Sequence, residues 1–134
     1  MIIVDTSVLS LAFRRKARTA PEPAKVRTLR RLVTENMPVV IPGIVLQELL
    51  SGVRTSGEFQ RLEQILEGFP ILLATEDHHV SAARIANICI QAGVTVSTVD
   101  CLIAAMAVGS RAQLLTIDRD FVRMAPHCGL KLLD

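Results

Sequence analysis

The sequence contains few aromatic residues and few cysteines. Its 134 residues include four phenylalanines and neither tryptophan nor tyrosine, so recognition of unpaired bases by stacking on aromatic side chains is disfavoured. The three cysteines, Cys89, Cys101 and Cys128, are widely spaced and form no CxxC pair. This spacing disfavours a disulfide framework and a zinc knuckle, and we expect the three thiols to act as small apolar core residues.

Long hydrophobic runs are also missing. The longest clean apolar stretch, Cys101–Val108, is about half of the ~20 residues that a membrane-spanning helix needs. The chain starts with Met1-Ile2-Ile3-Val4-Asp5, without the basic and apolar regions of a secretory signal. We therefore expect a cytoplasmic protein with no membrane segment. Half of the residues are hydrophobic, and at this length we expect residues 1–134 to form a single domain.

Charge is distributed unevenly along the chain. Residues 14–31 carry eight basic side chains and one acid, a net charge of +7. Because the whole chain has a net charge of +2, the other 116 residues carry −5. A basic segment of this kind indicates a polyanionic partner, while the surplus of acids elsewhere needs a separate explanation.

Short apolar runs rich in β-branched residues alternate with longer segments of helical period, which predicts an α/β fold with a parallel sheet. The predicted strands are Ile2–Val4, Val39–Ile41, Ile71–Leu73, Leu114–Ile117 and a marginal Leu130–Leu132. The predicted helices are Ser7–Phe13, Ala24–Glu35, Ile44–Val53, Glu58–Glu67, Glu76–Gln91 and Thr98–Val108, with a single turn at Arg119–Met124.

Acidic residues directly follow two of the predicted strands. Asp5 follows the first strand, and Asp118 follows the fourth, with Asp120 two residues later. In open α/β sheets the functional crevice lies beyond the carboxyl ends of the strands. Taken singly, however, each of these acids is adequately explained as a helix N-cap.

Asp100 is the only charged residue between Gly93 and Arg111 and lies near the start of an apolar helix. A carboxylate in such a helix is costly to desolvate unless it is paired, hydrogen-bonded or bound to a metal. A capping box formed by Ser97 and Asp100 explains the residue equally well.

Glu48 lies at the edge of the apolar face of the third predicted helix, where a solvated glutamate is the favoured interpretation of that residue alone. If Asp5, Glu48, Asp100 and Asp118 converge, their mutual repulsion requires a cation. Oxygen ligands favour Mg²⁺ or Mn²⁺, and such ions support phosphodiester hydrolysis by an activated water. The basic segment would then hold the polyanionic backbone.

Four segments in this order and spacing resemble a PIN domain over nearly the whole chain, and the short length is similar to that of VapC-type ribonuclease toxins. The segments are Asp5-Thr6-Ser7, the helix residues Gly43–Leu49 around Glu48, Asp100–Ala105, and Leu114–Phe121.

The resemblance implies a PIN-like three-layer sandwich with a central, mostly parallel sheet of four to five strands. It implies an endoribonuclease toxin that depends on Mg²⁺ or Mn²⁺, forms a homodimer, cleaves RNA and is inhibited by a cognate antitoxin. The implied catalytic and metal-binding acids are Asp5, Glu48, Asp100 and Asp118, with Asp120 as a further ligand and Thr6, Thr116 and Ser97 as supporting residues. RNA contact by Arg14, Arg15, Lys16 and Arg18 is inferred from charge and not from the resemblance.

Two other interpretations remain. A phosphoacceptor domain of the receiver type also clusters acids at strand ends, but the only late lysine, Lys131, has no acid near it. A catalytically silent binding module would use the acids only to cap helices and the basic segment to bind a partner.

Overall fold

A single parallel sheet organises the chain. The computed structural model describes residues 1–14 and 21–134, and within them five short strands pair in the order β3-β2-β1-β4-β5. All four pairings are parallel, as the alternating pattern predicts. The strands are β1 (Ile2–Val4), β2 (Val39–Pro42), β3 (Ile71–Leu72), β4 (Gln113–Leu115) and β5 (Lys131–Leu132).

Helices flank this sheet on both sides. In the described part of the chain there are seven: α1 (Thr6–Phe13), α2 (Ala24–Thr34), α3 (Gly43–Leu50), α4 (Ser56–Leu66), α5 (Glu76–Gln91), α6 (Thr98–Gly109) and α7 (Arg119–Cys128). The first four helices pack on one another, as do the last three. Right-handed crossovers place these two groups on opposite faces of the sheet. The predicted three-layer α/β sandwich is thereby confirmed.

The chain order of the strands creates a switch point between β1 and β4. From β1 the chain moves outward through β2 to β3, and it then crosses back to place β4 on the other side of β1. Val4 and Leu115, the last residues of these two strands, are partners in the ladder. The crevice of a doubly wound sheet opens at such a point, so the residues that follow β1 and β4 face each other there.

Helix α6 is buried, as its composition predicts. Cys101 and every residue from Ile103 to Ala107 are buried. Small side chains allow α6 to approach α5 closely: a Cβ on Gly109 would lie 3.2 Å from the His78 ring. The apolar surroundings that make Asp100 unusual in the sequence therefore exist in the fold.

Several predicted boundaries are wrong: α3 ends at Leu50 rather than at Val53, α4 begins at Ser56 rather than at Glu58, and β3 ends at Leu72 rather than at Leu73. Two further differences affect the site. Helix α7 is not a single turn: it continues past Met124 to Cys128, with Pro126 inside it. It ends at Gly129, which adopts the left-handed φ of 75° and donates its N–H to the Ala125 carbonyl. Strand β4 ends at Leu115 rather than at Ile117. Thr116 consequently lies in the connection between β4 and α7, where its side chain can reach β1.

The cysteines occupy the positions expected of apolar side chains. Cys89 and Cys101 are buried, Cys128 is half-buried, and the three thiols are unpaired within the described residues. Across residues 1–14 and 21–134, no helix has both the length and the apolar character needed to cross a bilayer.

Candidate active site

The site lies where β1 and β4 end side by side. The Asp5 N–H donates to the Leu115 carbonyl at 3.2 Å, which continues the ladder one residue beyond the strands. Asp5 then begins α1, and the chain that leaves β4 passes through Thr116 to Asp118, which begins α7. Two helix N-termini and two strand ends therefore meet at one edge of the sheet, and helix N-termini favour negative charge.

Asp5 is almost completely buried, with 3% of its surface exposed. Ser7 Oγ donates to Asp5 Oδ1 at 2.7 Å, and Thr116 Oγ1 donates to Asp5 Oδ2 at 2.8 Å. Burial raises the pKa of Asp5, while the two hydroxyl groups act in the opposite direction. Asp5 occupies the N-cap position of α1, but both carboxylate oxygens are directed to hydroxyl groups, one of them 111 residues away.

Thr116 and Ser7 connect Asp5 to the start of α7. Thr116 Oγ1 accepts from the Asp118 N–H at 2.9 Å, and Ser7 Oγ accepts from the Ile117 N–H at 3.2 Å. The two hydroxyl oxygens are 3.4 Å apart. These bonds fix the turn between β4 and α7 against the start of α1, and so determine where the Asp118 carboxylate points.

Three carboxylates converge beside Asp5. Asp100, Asp118 and Asp120 are each half-buried, and one oxygen from each lies within 4.8 Å of the others. Asp118 Oδ1 also accepts from the Asp120 N–H at 2.9 Å. Asp118 thus both caps α7 and belongs to the cluster, so the capping interpretation and the site interpretation hold together.

The surroundings of Asp100 disfavour a negative charge on its carboxylate. Desolvation by burial, followed by the charges of Asp118, Asp120 and Asp5, raises the pKa of Asp100 to about 6, against a smaller opposing effect of Ser97. The Ser97 hydroxyl accepts from the Asp100 N–H at 3.0 Å, which is the first half of the predicted capping box. The Asp100 carboxylate itself lies within reach of Asp118 and Asp120.

Glu48 is connected to the site through a hydroxyl group. Thr6 Oγ1 donates to Glu48 Oε1 at 2.8 Å, which joins α3 to the first residue of α1. Of the acids predicted to bind metal, the structure brings Asp100, Asp118 and Asp120 within range of one ion. Asp5 and Glu48 flank this group with carboxylate oxygens that already accept from Ser7, Thr116 and Thr6.

The donor set fits a hard divalent cation. Every side chain of the cluster offers carboxylate oxygen, the ligand type that Mg²⁺ and Mn²⁺ prefer over nitrogen or sulfur. Burial, together with the charges of the neighbouring acids, raises the pKa of Asp100 and so disfavours its ionised form, and a bound cation would favour that form.

Comparison with known proteins identifies the family. The sequence profile of the PIN domain matches residues 2–126. The chain belongs to the PIN-domain family. Ribonuclease VapC11 of Mycobacterium tuberculosis is 32% identical over 123 residues, which cover 90% of this chain and 89% of that protein. The resemblance to VapC-type ribonucleases is thus confirmed.

Solved structures share the same PIN fold. VapBC2 of Rickettsia felis, crystallised with a DNA fragment from its promoter, superposes with a TM-score of 0.79 at 22% identity and covers 99% of this chain and 98% of the other. FitAcB of Neisseria gonorrhoeae gives a TM-score of 0.77 at 24% identity, with coverages of 100% and 97%.

The basic segment of this PIN domain is only partly described. Arg15, Lys16 and Arg18 lie outside the described residues. Arg14 Nη2 donates to the Leu49 carbonyl at 3.2 Å, and in the described part of the structure its buried Nε has no hydrogen-bond partner. Because Leu49 lies in the last turn of α3, Arg14 satisfies one of the carbonyls that a helix end leaves unpaired. The structure thus gives the Arg14 guanidinium a contact within the fold.

Two residues of the PIN-domain site were not singled out from the sequence. Ser7 was named as part of the segment Asp5-Thr6-Ser7 but not as a site residue, although its hydroxyl donates to Asp5 and accepts from Ile117. Its position two residues after the first acid was the available signal. Arg123 forms an ion pair with Asp120 one helical turn away, and the i, i+3 spacing of the two residues within the predicted turn Arg119–Met124 was the available signal.

Proposed function

We propose that this PIN domain is an endoribonuclease that depends on Mg²⁺ or Mn²⁺ and hydrolyses phosphodiester bonds of RNA. The observation that carries the proposal is the convergence of Asp100, Asp118 and Asp120 beside the buried Asp5, at the switch point of the sheet. A fold retains a carboxylate with a pKa of about 6 among other acids at a cost in stability, and such costs are typical of functional sites.

The residues have distinct roles in this proposal. Asp100, Asp118 and Asp120 would hold the ion, while Asp5 adds negative charge behind them and holds Thr116 in place. When bound, a divalent ion lowers the pKa of a coordinated water and stabilises the leaving oxygen of an in-line displacement. The hydroxyl groups of Ser7 and Thr116 keep the strand-end turn rigid, so that the carboxylates are already oriented before substrate arrives.

Glu48 completes the proposed site from the side of α3. Its carboxylate accepts from Thr6, the neighbour of Asp5 in the chain. We assign it to positioning α1 and to attracting the cation at longer range.

The partners follow from the relatives and from the charge distribution. VapC11 is a ribonuclease by name, and the structurally similar VapBC-5 of Mycobacterium tuberculosis is described as a member of the VapBC family of toxin-antitoxin systems. We infer for this chain an RNA substrate, a cognate antitoxin partner, a homodimeric assembly and a cytoplasmic location. The eight basic residues between positions 14 and 31 supply the positive charge that attracts the RNA backbone. Among them, Arg15, Lys16 and Arg18 lie within four residues of Arg14 in the sequence.

Substitution of the acids tests the activity. Asp5→Asn and Asp100→Asn should each reduce Mn²⁺-dependent RNA cleavage by two orders of magnitude or more while leaving the far-ultraviolet circular dichroism spectrum unchanged. The matched control is Asp77→Asn, which removes an exposed acid from the first turn of α5. It should retain full activity.

Calorimetry with Mn²⁺ distinguishes the enzyme from the alternative. The wild-type protein should bind Mn²⁺ at neutral pH, and Asp118→Asn should weaken that binding. Undiminished cleavage by both Asp5→Asn and Asp100→Asn would refute the assignment of the site. Absence of both Mn²⁺ binding and cleavage in the wild-type protein would favour a silent binding module in which the acids serve only as caps.

A further inference from the structure

Arg123 pairs with one of the three clustered carboxylates. Its Nη2 donates to Asp120 Oδ1, three residues earlier on α7. Both side chains are accessible, with 58% of the Arg123 side chain and 44% of the Asp120 side chain exposed. A guanidinium has five N–H donors, and among the described residues Asp120 is the only recorded partner. Most of the donors of Arg123 therefore face solvent.

The same two residues line a groove that shares Asp120 with the acidic cluster. Asp120 and Arg123 form one wall, and the α5–α6 connection from Gly93 to Ser97 forms the other. The groove encloses about 610 Å³, within the range of roughly 300–1,000 Å³ typical of ligand sites. Ser97 at one end caps the helix that carries Asp100. A chain that crosses the carboxylates can thus continue into this groove and pass Arg123.

We propose that Arg123 is a substrate-binding residue that exchanges partners, pairing with Asp120 before the cation binds and with a phosphate of RNA in the 93–97 groove afterwards. This inference rests on the proposed nuclease function, which supplies both the cation and the RNA. Arg123 would bind the RNA strand beside the scissile phosphate. The groove would determine the direction in which the RNA strand leaves the site.

The ion pair has the properties that such an exchange needs. Exposed pairs at i, i+3 contribute little to stability, so little is lost when Arg123 leaves Asp120. A divalent cation on the Asp120 carboxylate would repel the guanidinium on the same group, because like charges disfavour each other. A released guanidinium matches phosphate oxygens with two parallel hydrogen bonds.

Two binding measurements on Arg123→Gln test the exchange. Without RNA, calorimetry should show Mn²⁺ binding about two- to fivefold tighter than in the wild-type protein, because a competitor for Asp120 is gone. With Ca²⁺ replacing Mn²⁺ to slow cleavage, anisotropy of a fluorescein-labelled RNA hairpin should show about tenfold weaker binding. The slope of log K against log salt should fall in magnitude by about 0.7 to 0.9, as for one lost phosphate contact.

Arg119→Gln is the matched control. It removes the same charge from the same helix, but Arg119 lies outside the groove and pairs with no acid in the described structure. Its Mn²⁺ and RNA affinities should change less than twofold. Equal losses of RNA affinity in the two variants, or unchanged Mn²⁺ and RNA binding in Arg123→Gln, would overturn the exchange while wild-type cleavage left the nuclease assignment standing. A wild-type protein that neither binds Mn²⁺ nor cleaves RNA would overturn both.

Discussion

Asp5 and Asp100 are both acids whose burial raises the pKa, but the protein compensates them differently. Asp5 receives a hydroxyl hydrogen bond on each carboxylate oxygen. Asp100 lies among Asp118 and Asp120, whose charges add to the effect of burial. The metal-free fold thus disfavours the ionised form of Asp100, which is also the form that a cation requires.

The raised pKa of Asp100 predicts a pH-dependent stability for the metal-free protein. The pKa is about 6 in the folded chain against a reference of 3.8. Between these values the folded state binds more protons than the unfolded state, so this residue's contribution to stability falls as pH rises. It is fully present below pH 3.8 and is lost above about pH 6. Asp100→Asn should therefore be about 2 kcal/mol more stable than wild type at pH 8 and nearly equal to it close to pH 4.

Urea unfolding in a chelator across this pH range measures the difference. Asp77→Asn, on the exposed first turn of α5, should show no comparable gain at high pH. A stability difference for Asp100→Asn that is independent of pH would contradict the electrostatic origin of the effect.

A site residue can be predicted from the sequence when the features that make it unusual lie close to it in the chain. Asp100 could be predicted because a single charge in an apolar helix is visible without knowledge of the fold. The contact between Thr116 and Asp5 spans 111 residues and was not predicted, since the resemblance to a known family implied only that Thr116 supports the site. Arg123 and Asp120 both lie within the predicted turn Arg119–Met124, but an exposed i, i+3 pair contributes little to stability and does not by itself indicate a functional site.

At the scale of the helices and strands, capping groups determine where the acids stand. Ser97 holds the first turn of α6 by accepting from the Asp100 N–H, and Asp118 does the same for α7 by accepting from the Asp120 N–H. The start of each helix is thus fixed within two or three residues of a carboxylate of the cluster. A change in either cap should move those carboxylates.

One serine cap and one threonine cap allow a matched test of whether helix capping affects cation binding. Ser97 caps α6 at the site, and Thr55 caps α4 by accepting from the Glu58 N–H at 3.2 Å. Ser97→Ala and Thr55→Ala should each lower the free energy of unfolding by about 1 kcal/mol. Only Ser97→Ala should also weaken Mn²⁺ binding, because it loosens Asp100 and removes a group that lowers its pKa.

Chemical denaturation and Mn²⁺ calorimetry on the two variants measure these effects. If both variants lost the same Mn²⁺ affinity, the effect would be one of general destabilisation and not of positioning.

The bounds of a helix were predicted accurately where residues at its own ends mark where it starts and stops. Helix α5 was predicted with both of its observed bounds, because the acids Glu76 and Asp77 occupy its first turn and Gly93 follows its end. Helix α7 was predicted too short because Pro126 normally interrupts a helix. Its buried residues Phe121 and Met124 hold it against the core, so tertiary packing outweighs the local preference.

For the whole molecule, the structure explains part of the uneven distribution of charge along the chain, namely the surplus of acids outside the basic segment. The residues outside the basic segment carry a net charge of −5, and several of their acids meet at the point where β1 and β4 end. The site is therefore a local concentration of negative charge in a chain of small positive net charge. Concentrated charge of one sign destabilises a fold unless counter-ions bind.

A cation bound at the clustered acids should stabilise the whole protein. A ligand that binds only the folded state stabilises it by about 2.7 kcal/mol at one hundred times its dissociation constant. For a chain of this size, saturating Mn²⁺ should therefore raise the Tm by roughly 10 °C, and a chelator should reverse the rise. Asp118→Asn should remove most of the response, since Asp118 contributes one of the three clustered oxygens and an asparagine can still accept from the Asp120 N–H.

Differential scanning calorimetry with and without Mn²⁺ provides the measurement, with Asp77→Asn as the control that should retain the full response. The conservative substitution at Asp118 separates binding from folding, because the cap of α7 survives while the negative charge does not. A Tm that rises equally in wild type and Asp118→Asn would show that Mn²⁺ acts elsewhere on the surface. The proposed centre would then lose its thermodynamic support, because stabilisation by a cation must depend on the groups that bind it.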